Sequence, residues 1–151
     1  MKEYTFTIRH GHYIATVALP ENWTLYEFAN FITDTVGFYF DHPFEFCNNL
    51  KKPYRSTERY SLFADMDGPS NEGVADTGVK NTLVSTAFQQ GKSMLFHFDY
   101  GDDWYFLVKC TAIAEMDKQS RFNKVLSTKG TPPVQYPDEG DPDDEDLGPE
   151  E

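Results

Sequence analysis

The strongest structural signal in this chain is a helix between residues 24 and 37 whose two ends are both defined by the sequence. Thr24 and Glu27 have the spacing of a capping box, in which the threonine accepts from a free amide of the first turn and the glutamate reaches back. The apolar residues at helical spacing are Leu25, Phe28, Ala29, Ile32 and Val36. They form one apolar face, so the helix must pack against another element. Gly37 stands where a left-handed residue ends a helix, and we predict a helix over residues 25–36.

Alternating apolar and polar residues predict strands on both sides of this helix. The predicted strands cover residues 4–8, 13–19, 44–46, 93–98 and 104–113. Gly11 lies in the first turn, where it is free to take a positive φ. A hairpin, a helix and further strands are typical of a β-grasp-like α+β fold, with one main helix on one face of a mixed sheet.

Three segments lack this periodicity. Residues 47–81 are mostly polar and predict a long loop with one short extended piece at 60–63. Residues 81–90 predict a short turn or helix, and residues 116–136 predict a polar connector. We therefore place a single domain over residues 1–115.

The charge divides the chain into a nearly balanced body and an acidic tail. The net charge is −12, and residues 137–151 hold nine acidic residues and no basic one. Such a segment repels itself and has little to bury, so we predict that the tail is disordered. The body lacks the concentrated basic face typical of nucleic-acid-binding proteins. Two groups of basic residues come nearest to such a face, and both are interpreted as parts of solvated loops: Lys51, Lys52 and Arg55, and Lys118, Arg121, Lys124 and Lys129. The charge therefore argues against a nucleic-acid partner.

The compartment is predicted from what the sequence lacks. No apolar run is long enough to span a membrane, and the first residues lack the apolar stretch of a signal peptide. Cys47 and Cys110 are isolated, which favours a reducing compartment over a disulfide framework. We expect a cytoplasmic protein without a membrane partner.

Three aspartates lie between two predicted strands in FHFDYGDDWYF, residues 96–106. One interpretation is a divalent-metal site, because Mg²⁺ and Ca²⁺ prefer clustered oxygen ligands. Its ligands would be Asp99, Asp102 and Asp103, joined by His42. A metal held there would activate water, so this alternative predicts a metal-dependent hydrolase acting on phosphoesters.

The favoured interpretation of the same residues is a turn without a cofactor. Asp99 and Asp102 would accept from turn amides, and Gly101 would supply a positive φ. Trp104 would then pack on the core and fix the hairpin. His42 is interpreted as a hydrogen-bonded residue at the corner between the helix and the next strand, and His97 as a packing residue in an apolar strand.

Aromatic residues are abundant, with 13 Phe, 9 Tyr and 2 Trp. Most of those in residues 38–46 are expected in the core, but so many rings in a short non-helical stretch predict that some are exposed in a binding groove. The groove would lie between the helix end and the hairpin. Its candidate residues are Phe38, Tyr39, His42, Tyr100 and Trp104.

The segment VGFYFDHPFEF, residues 36–46, resembles part of the plasmid pRiA4b ORF-3-like family. In that family a Gly-Trp pair followed by His-x-x-x-Phe closes the helix. Gly37, His42 and Phe46 match this pattern, with Phe38 in place of Trp.

A second segment, FDYGDDWYFLV at residues 98–108, resembles the family motif Tyr-Asp-Phe-Gly-Asp-Asp-Trp. Tyr100 takes the place of the motif's Phe, and the residues that match it are Asp99, Gly101, Asp102, Asp103 and Trp104. The resemblance covers residues 3–115. It implies an α+β fold and an origin in bacteria or archaea, often on mobile elements, without an established activity.

The chain departs from this family at three places, which marks it as a divergent member. Residues 14–16 replace the family's Trp-Arg-Arg, and Phe106 replaces a common His. Of the family's longer C-terminal motif this chain has only Pro132 and Pro133, and no Cys follows them. Activities that depend on those arginines, that His or that Cys are not expected here.

Taken together, the residues favour a non-enzymatic module that binds a protein partner through the aromatic groove, with the acidic tail as a further contact. The metal-dependent hydrolase is the alternative. A DNA-associated protein is a weaker alternative, because the charge opposes it.

Overall fold

The computed structural model describes residues 1–67, 77–116 and 123–136, and within them eight strands form one sheet. The strands are β1 (Lys2–His10), β2 (Tyr13–Pro20), β3 (Phe44–Cys47), β4 (Arg59–Ser61), β5 (Thr77–Gly78), β6 (Ser93–Phe98), β7 (Trp104–Glu115) and β8 (Lys124–Lys129). Their order across the sheet is β5-β4-β3-β6-β7-β1-β2-β8. The pair β4 and β5 is parallel, and the other described pairs are antiparallel.

The predicted helix is confirmed as α1 (Leu25–Val36). The capping box forms, since the Glu27 amide donates to the Thr24 hydroxyl and the Thr24 amide donates to the Glu27 carboxylate. Gly37 ends the helix at φ 93°, a conformation that favours glycine. Two shorter helices follow, α2 (Leu62–Asp67) and α3 (Val84–Ala87), and residues Pro53–Arg55 form a 3₁₀ turn.

The fold is α+β with one main helix, but its sheet is larger than a β-grasp-like arrangement. The segment predicted as a long loop contributes β4 and β5, and the predicted polar connector contains β8. Strands β4 and β5 are three and two residues long, too short to show a period of two. All six residues of β8 are exposed, so no buried face marks it in the sequence.

The helices α1 and α3 cover one face of the sheet, where aromatic residues form the core. The ring of Phe28 on α1 lies 4.5 Å from Phe6 of β1 and 5.8 Å from Phe46 of β3. Phe88, directly after α3, lies 5.0 Å from Phe6. These four side chains are fully buried, and each removes a large apolar area from water.

The opposite side of the sheet is here called the open face. Because side chains alternate between the two sides of a strand, it is formed by residues that stand between the core phenylalanines. These residues include Arg9, Leu95, His97, Tyr105, Leu107 and Lys109. Leu95 and Leu107 stand opposite each other on neighbouring strands, and they are partly exposed together with Tyr105. An antiparallel sheet can leave one face to water, and this one leaves apolar and aromatic side chains there.

Some predictions concern residues outside the described ranges. The acidic tail, residues 137–151, lies outside them, as do residues 117–122 of the connector. Both cysteines are described, and both are buried free thiols. Within residues 1–67, 77–116 and 123–136, no helix is long and apolar enough to cross a membrane.

Candidate functional site

The turn between β6 and β7, residues 99–103, is ordered by Asp99. One oxygen of its carboxylate accepts from the amides of Gly101 at 3.0 Å and Asp102 at 3.3 Å, and its carbonyl accepts from the Asp103 amide at 2.6 Å. The expected bonding of turn amides by Asp99 is therefore observed. The expected positive φ at Gly101 was wrong, since the positive values lie at Asp99 (67°) and Asp103 (54°). Aspartate tolerates this conformation because its short side chain can bond to the local backbone.

A chain of charged side chains, here called the open-face network, runs across β4, β3 and β6 to this turn. Nδ1 of His97 lies 3.0 Å from Oε2 of Glu45, and Nε2 lies 2.7 Å from Oδ1 of Asp103. Nη1 of Arg59 donates to Oε1 of Glu45 at 2.7 Å, and Nη2 donates to the Pro53 carbonyl at 3.0 Å. Positive and negative charges thus alternate along the network when His97 is protonated, in the order Arg59, Glu45, His97 and Asp103.

The network favours that protonated state. Burial opposes a charge on His97, but its hydrogen bonds to Glu45 and Asp103 prevail and raise its pKa. Burial also acts to raise the pKa of Glu45, but the bonds from His97 and Arg59 prevail and lower it. The imidazolium and the carboxylate are therefore held as a pair between the two neighbouring strands.

Aromatic rings enclose His97 on the open face. The Tyr105 ring stacks on it at 4.3 Å with an interplanar angle of 13°, and the Tyr100 ring lies at 4.7 Å. Phe63 of α2 stacks on Tyr100 at 5.4 Å and is 39% exposed. The charged centre is therefore shielded by rings that themselves reach the surface.

A second polar group, here called the corner cluster, forms beside the helix end. Nδ1 of His42 lies 2.6 Å from Oδ1 of Asp41, and Nε2 lies 3.5 Å from Oδ2 of Asp99. Residues that follow β8 complete it: the Tyr136 hydroxyl donates to Oδ2 of Asp41 at 2.8 Å, and the buried Gln135 accepts from the Tyr39 amide at 2.7 Å. Desolvation and the bond to Asp41 raise the pKa of Tyr136 to about 12. His42 thus fixes the corner, as its interpretation required.

The five predicted groove residues do not line one groove. Phe38 is buried, with its ring 4.9 Å from that of the half-buried Trp104. Tyr39 is 74% exposed, and His42 lies in the corner cluster. Tyr100 lies against His97 on the open face. The sheet separates Tyr100 from Phe38, because the Phe38 ring lies near Phe98 and Phe106 on the core face.

The four predicted metal ligands are also divided between two places. Asp99 faces His42 in the corner cluster, whereas Asp103 binds His97 in the open-face network. The Asp102 side chain is exposed. Within the part of the chain that the structure describes, no group of three or more His, Cys, Asp or Glu side chains is placed to hold a metal ion.

The chain is similar to one known protein family. The model of the family described as plasmid pRiA4b ORF-3-like protein matches residues 13–138. The chain belongs to this family. The match confirms the resemblance carried by the two aromatic segments, and it extends past residue 115 to include β8 and the last residues of the corner cluster.

A solved structure shows the same fold for this pRiA4b ORF-3-like chain. It is the crystal structure of a protein of unknown function from Methanosarcina mazei Go1, with a TM-score of 0.69 and 18% sequence identity. The similarity covers 86% of this chain and 71% of that one. No curated protein sequence matches the chain.

Sequence reasoning missed most of the open-face network in this family member. Glu45 was treated as part of an aromatic strand, Arg59 as part of a loop, and His97 as a packing residue. One signal was present: Glu45 and His97 occupy outward positions of two apolar strands. Their contact depends on the register that pairs these two residues across β3 and β6, and neither strand alone specifies that register.

The network predicts how stability depends on pH. His97 holds its proton more tightly in the folded chain, so its contribution is complete below its ordinary pKa of about 6.5 and is lost as the pH rises through the raised folded pKa. We expect the free energy of unfolding, measured by urea titration between about pH 6 and pH 8, to decrease with pH. His97→Gln should flatten this slope. Equal slopes in the two proteins would contradict the assignment.

Proposed function

We propose that this chain is a non-enzymatic protein-interaction module that binds a protein partner through the open face of its sheet. One observation carries the proposal: the charged groups of the open-face network are paired with one another, while apolar and aromatic side chains beside them remain partly exposed. Leu95 and Leu107 form the apolar part, and Tyr105 joins them to the network. Tyrosine is enriched at the centre of protein interfaces.

The state of the reactive groups supports a role in binding rather than in catalysis. Both ring nitrogens of His97 are held by carboxylates, so neither is available to take a proton from a substrate. Burial raises the pKa of Cys47, and it raises that of Cys110 to about 11. At neutral pH both are therefore thiols, which are poor nucleophiles. Free thiols also suit the cytoplasmic location that we propose.

The positive charge beside the apolar residues of the open face suits a partner with acidic side chains. Arg9 stands opposite Leu107 across β1 and β7, and Lys109 lies two residues further along β7. Both are exposed. Charges at the rim of an interface select the partner and speed its association more than they strengthen binding. The metal-dependent hydrolase gains less support, because Asp99 and Asp103 are turned to different polar groups.

The experiment is a comparative capture of partners from a lysate of the source cells with the full-length chain. A partner retained by the wild type should be reduced about tenfold or more by Leu107→Lys, because burial of a leucine contributes roughly 1.5–3 kcal/mol. Leu83→Lys is the matched control, since Leu83 is partly exposed and lies next to α3 on the other side of the sheet.

Thermal melts of the three proteins separate lost binding from lost folding. We expect both variants to melt close to the wild type, because both replaced side chains reach the surface. A partner retained equally by wild type and Leu107→Lys, with intact melts, would place the interface elsewhere.

A further inference from the structure

The loop between β3 and β4 carries a group of cations that the open face does not use. We call residues 48–57 the basic loop, after Lys51, Lys52 and Arg55. The loop borders a cavity of about 260 Å³. Its lining residues are Asn48, Asn49, Leu50, Lys51, Arg55 and Thr57.

Asparagine side chains hold this loop in shape. Oδ1 of Asn49 accepts from the amides of Lys51 at 3.2 Å and Lys52 at 2.9 Å. Oδ1 of Asn48 accepts from the Thr57 amide at 3.0 Å, and its Nδ2 donates to the Thr57 hydroxyl at 3.0 Å. Because these bonds use the backbone and uncharged groups, the basic side chains are not needed to form the loop. They remain available to a ligand.

The loop brings three cations without a carboxylate partner close together in the sequence. Four other cations of the described chain pair with carboxylates: Lys2 with Glu115, Arg59 with Glu45, Lys92 with Glu58 and Lys124 with Glu3. Lys51, Lys52 and Arg55 form no ion pair with a carboxylate of the described residues, and the same holds for four cations elsewhere, which are Arg9, Lys80, Lys109 and Lys129. Three unpaired cations within five residues are notable in a chain with a net charge of −12, and they favour a multiply charged anionic ligand.

We propose that this ligand is the chain's own acidic tail, residues 137–151, which binds across the basic loop through its carboxylates. Charge complementarity supports it, since the tail has nine acidic residues and no basic one. An exposed pair of single charges contributes little, but several charges on each side act together.

The place where the tail begins also supports the proposal. Tyr136 is anchored to Asp41 in the corner cluster, shortly before β3, and the basic loop follows β3 directly. The four residues of β3 span about 13 Å, whereas fifteen residues can reach up to roughly 50 Å. A tether of this length keeps the tail at an effective concentration on the order of millimolar near the loop.

Such a contact would occupy the cations of the basic loop, and it would be weakened by salt and by competing polyanions. An anionic partner of this loop would have to displace the tail before it could bind. The proposal concerns a surface other than the open face, so it stands or fails separately from the proposed function.

Zero-length cross-linking of the full-length chain tests it, since a carbodiimide joins a carboxylate to a lysine amine in direct contact. At micromolar protein concentration and low salt, mass spectrometry should show tail cross-links concentrated on Lys51 and Lys52. Lys80, Lys109 and Lys129, which are exposed as well, are the internal controls. The yield at the loop should drop about fivefold in 0.5 M NaCl, where the screening length falls to roughly 4 Å.

Two further arms keep the result decisive. In a full-length variant with all nine tail acids changed to their amides, the amide NMR signals of Lys51, Lys52 and Arg55 should shift, whereas that of Lys109 should not. An equal mixture of ¹⁵N-labelled and unlabelled chains tests whether the contact forms within one chain. In that case each cross-linked pair of peptides should be either fully labelled or fully unlabelled. Cross-links spread evenly over the exposed lysines, unshifted loop signals, or cross-links of mixed mass would each overturn the proposal.

Discussion

Phe28→Ala should reduce the free energy of unfolding by about 3–5 kcal/mol, the largest effect that we expect from a single substitution in this chain. Phe28 is fully buried on α1. Its ring lies within 6.2 Å of three others, those of Phe6, Phe46 and Phe88. Truncation removes the buried area and leaves a cavity between two strands and α3, which the rigid sheet cannot fill by collapse.

Urea denaturation of the wild type and the variant measures this loss. Tyr39→Ala is the matched control, because Tyr39 is 74% exposed and its backbone amide keeps its bond to Gln135. The control should change the free energy of unfolding by no more than about 0.5 kcal/mol. A loss below about 1.5 kcal/mol for Phe28→Ala would mean that α1 is not packed on the centre of the sheet.

The parts of the fold that the sequence predicted are those whose signals are local. A capping box, an apolar stripe and a terminal glycine define α1 within fourteen residues, from Thr24 to Gly37. The first hairpin is equally local, because its two strands alternate and a glycine turn joins them; Gly11 has φ 58°. Both elements were predicted close to their observed limits.

The number of strands in the sheet depends on contacts between distant segments, which no local sequence pattern predicts. Strand β8 pairs with β2 although its six residues are separated from that strand by more than a hundred positions and all are exposed. Its pairing is held by backbone hydrogen bonds, which any sequence can supply. Strand β5 has two residues and pairs with β4 next to α2. Elements of this kind follow from the rest of the fold.

The candidate site was predicted only in part, because some of its contacts are local in the sequence and others are not. The aspartate-rich turn was found from its composition, and the bonds of Asp99 within it are local. The partners of Asp103 and His42 are not: Asp103 binds His97 across the turn, and His42 meets Tyr136, a residue 94 positions away. These contacts depend on how the strands pair and on how the C-terminal residues return to the helix end. Composition alone therefore grouped aspartates that the structure separates.

Glu45→Gln should cost about 3 kcal/mol of stability, because removal of one partner from a buried ion pair leaves the other charges uncompensated. The Glu45 side chain is 12% exposed, and it lies between Arg59 and His97. A neutral amide still fits the space but no longer balances these two cations. The variant should therefore also lower the pKa of His97, since Glu45 is one of the two groups that raise it.

Two measurements check this prediction together: urea denaturation, and NMR titration of the His97 ring. Asp103→Asn is the matched control. It removes the other carboxylate that contacts His97, but the Asp103 side chain is 55% exposed, and pairs with that much solvent contribute about 1 kcal/mol or less. Glu45→Gln should thus destabilise the chain clearly more than Asp103→Asn. Equal losses of stability in the two variants would contradict the assignment of Glu45 as the buried centre of the network.

The same variant connects the open-face network to the proposed function. If the network supports the open face from beneath, Glu45→Gln should weaken capture of the partner, because Tyr105 stacks on the imidazole that Glu45 holds. Double substitution with Leu107→Lys should then add little to the loss, since residues on one surface are coupled. Full additivity of the two losses in binding would show that the network stabilises the fold without shaping the interface.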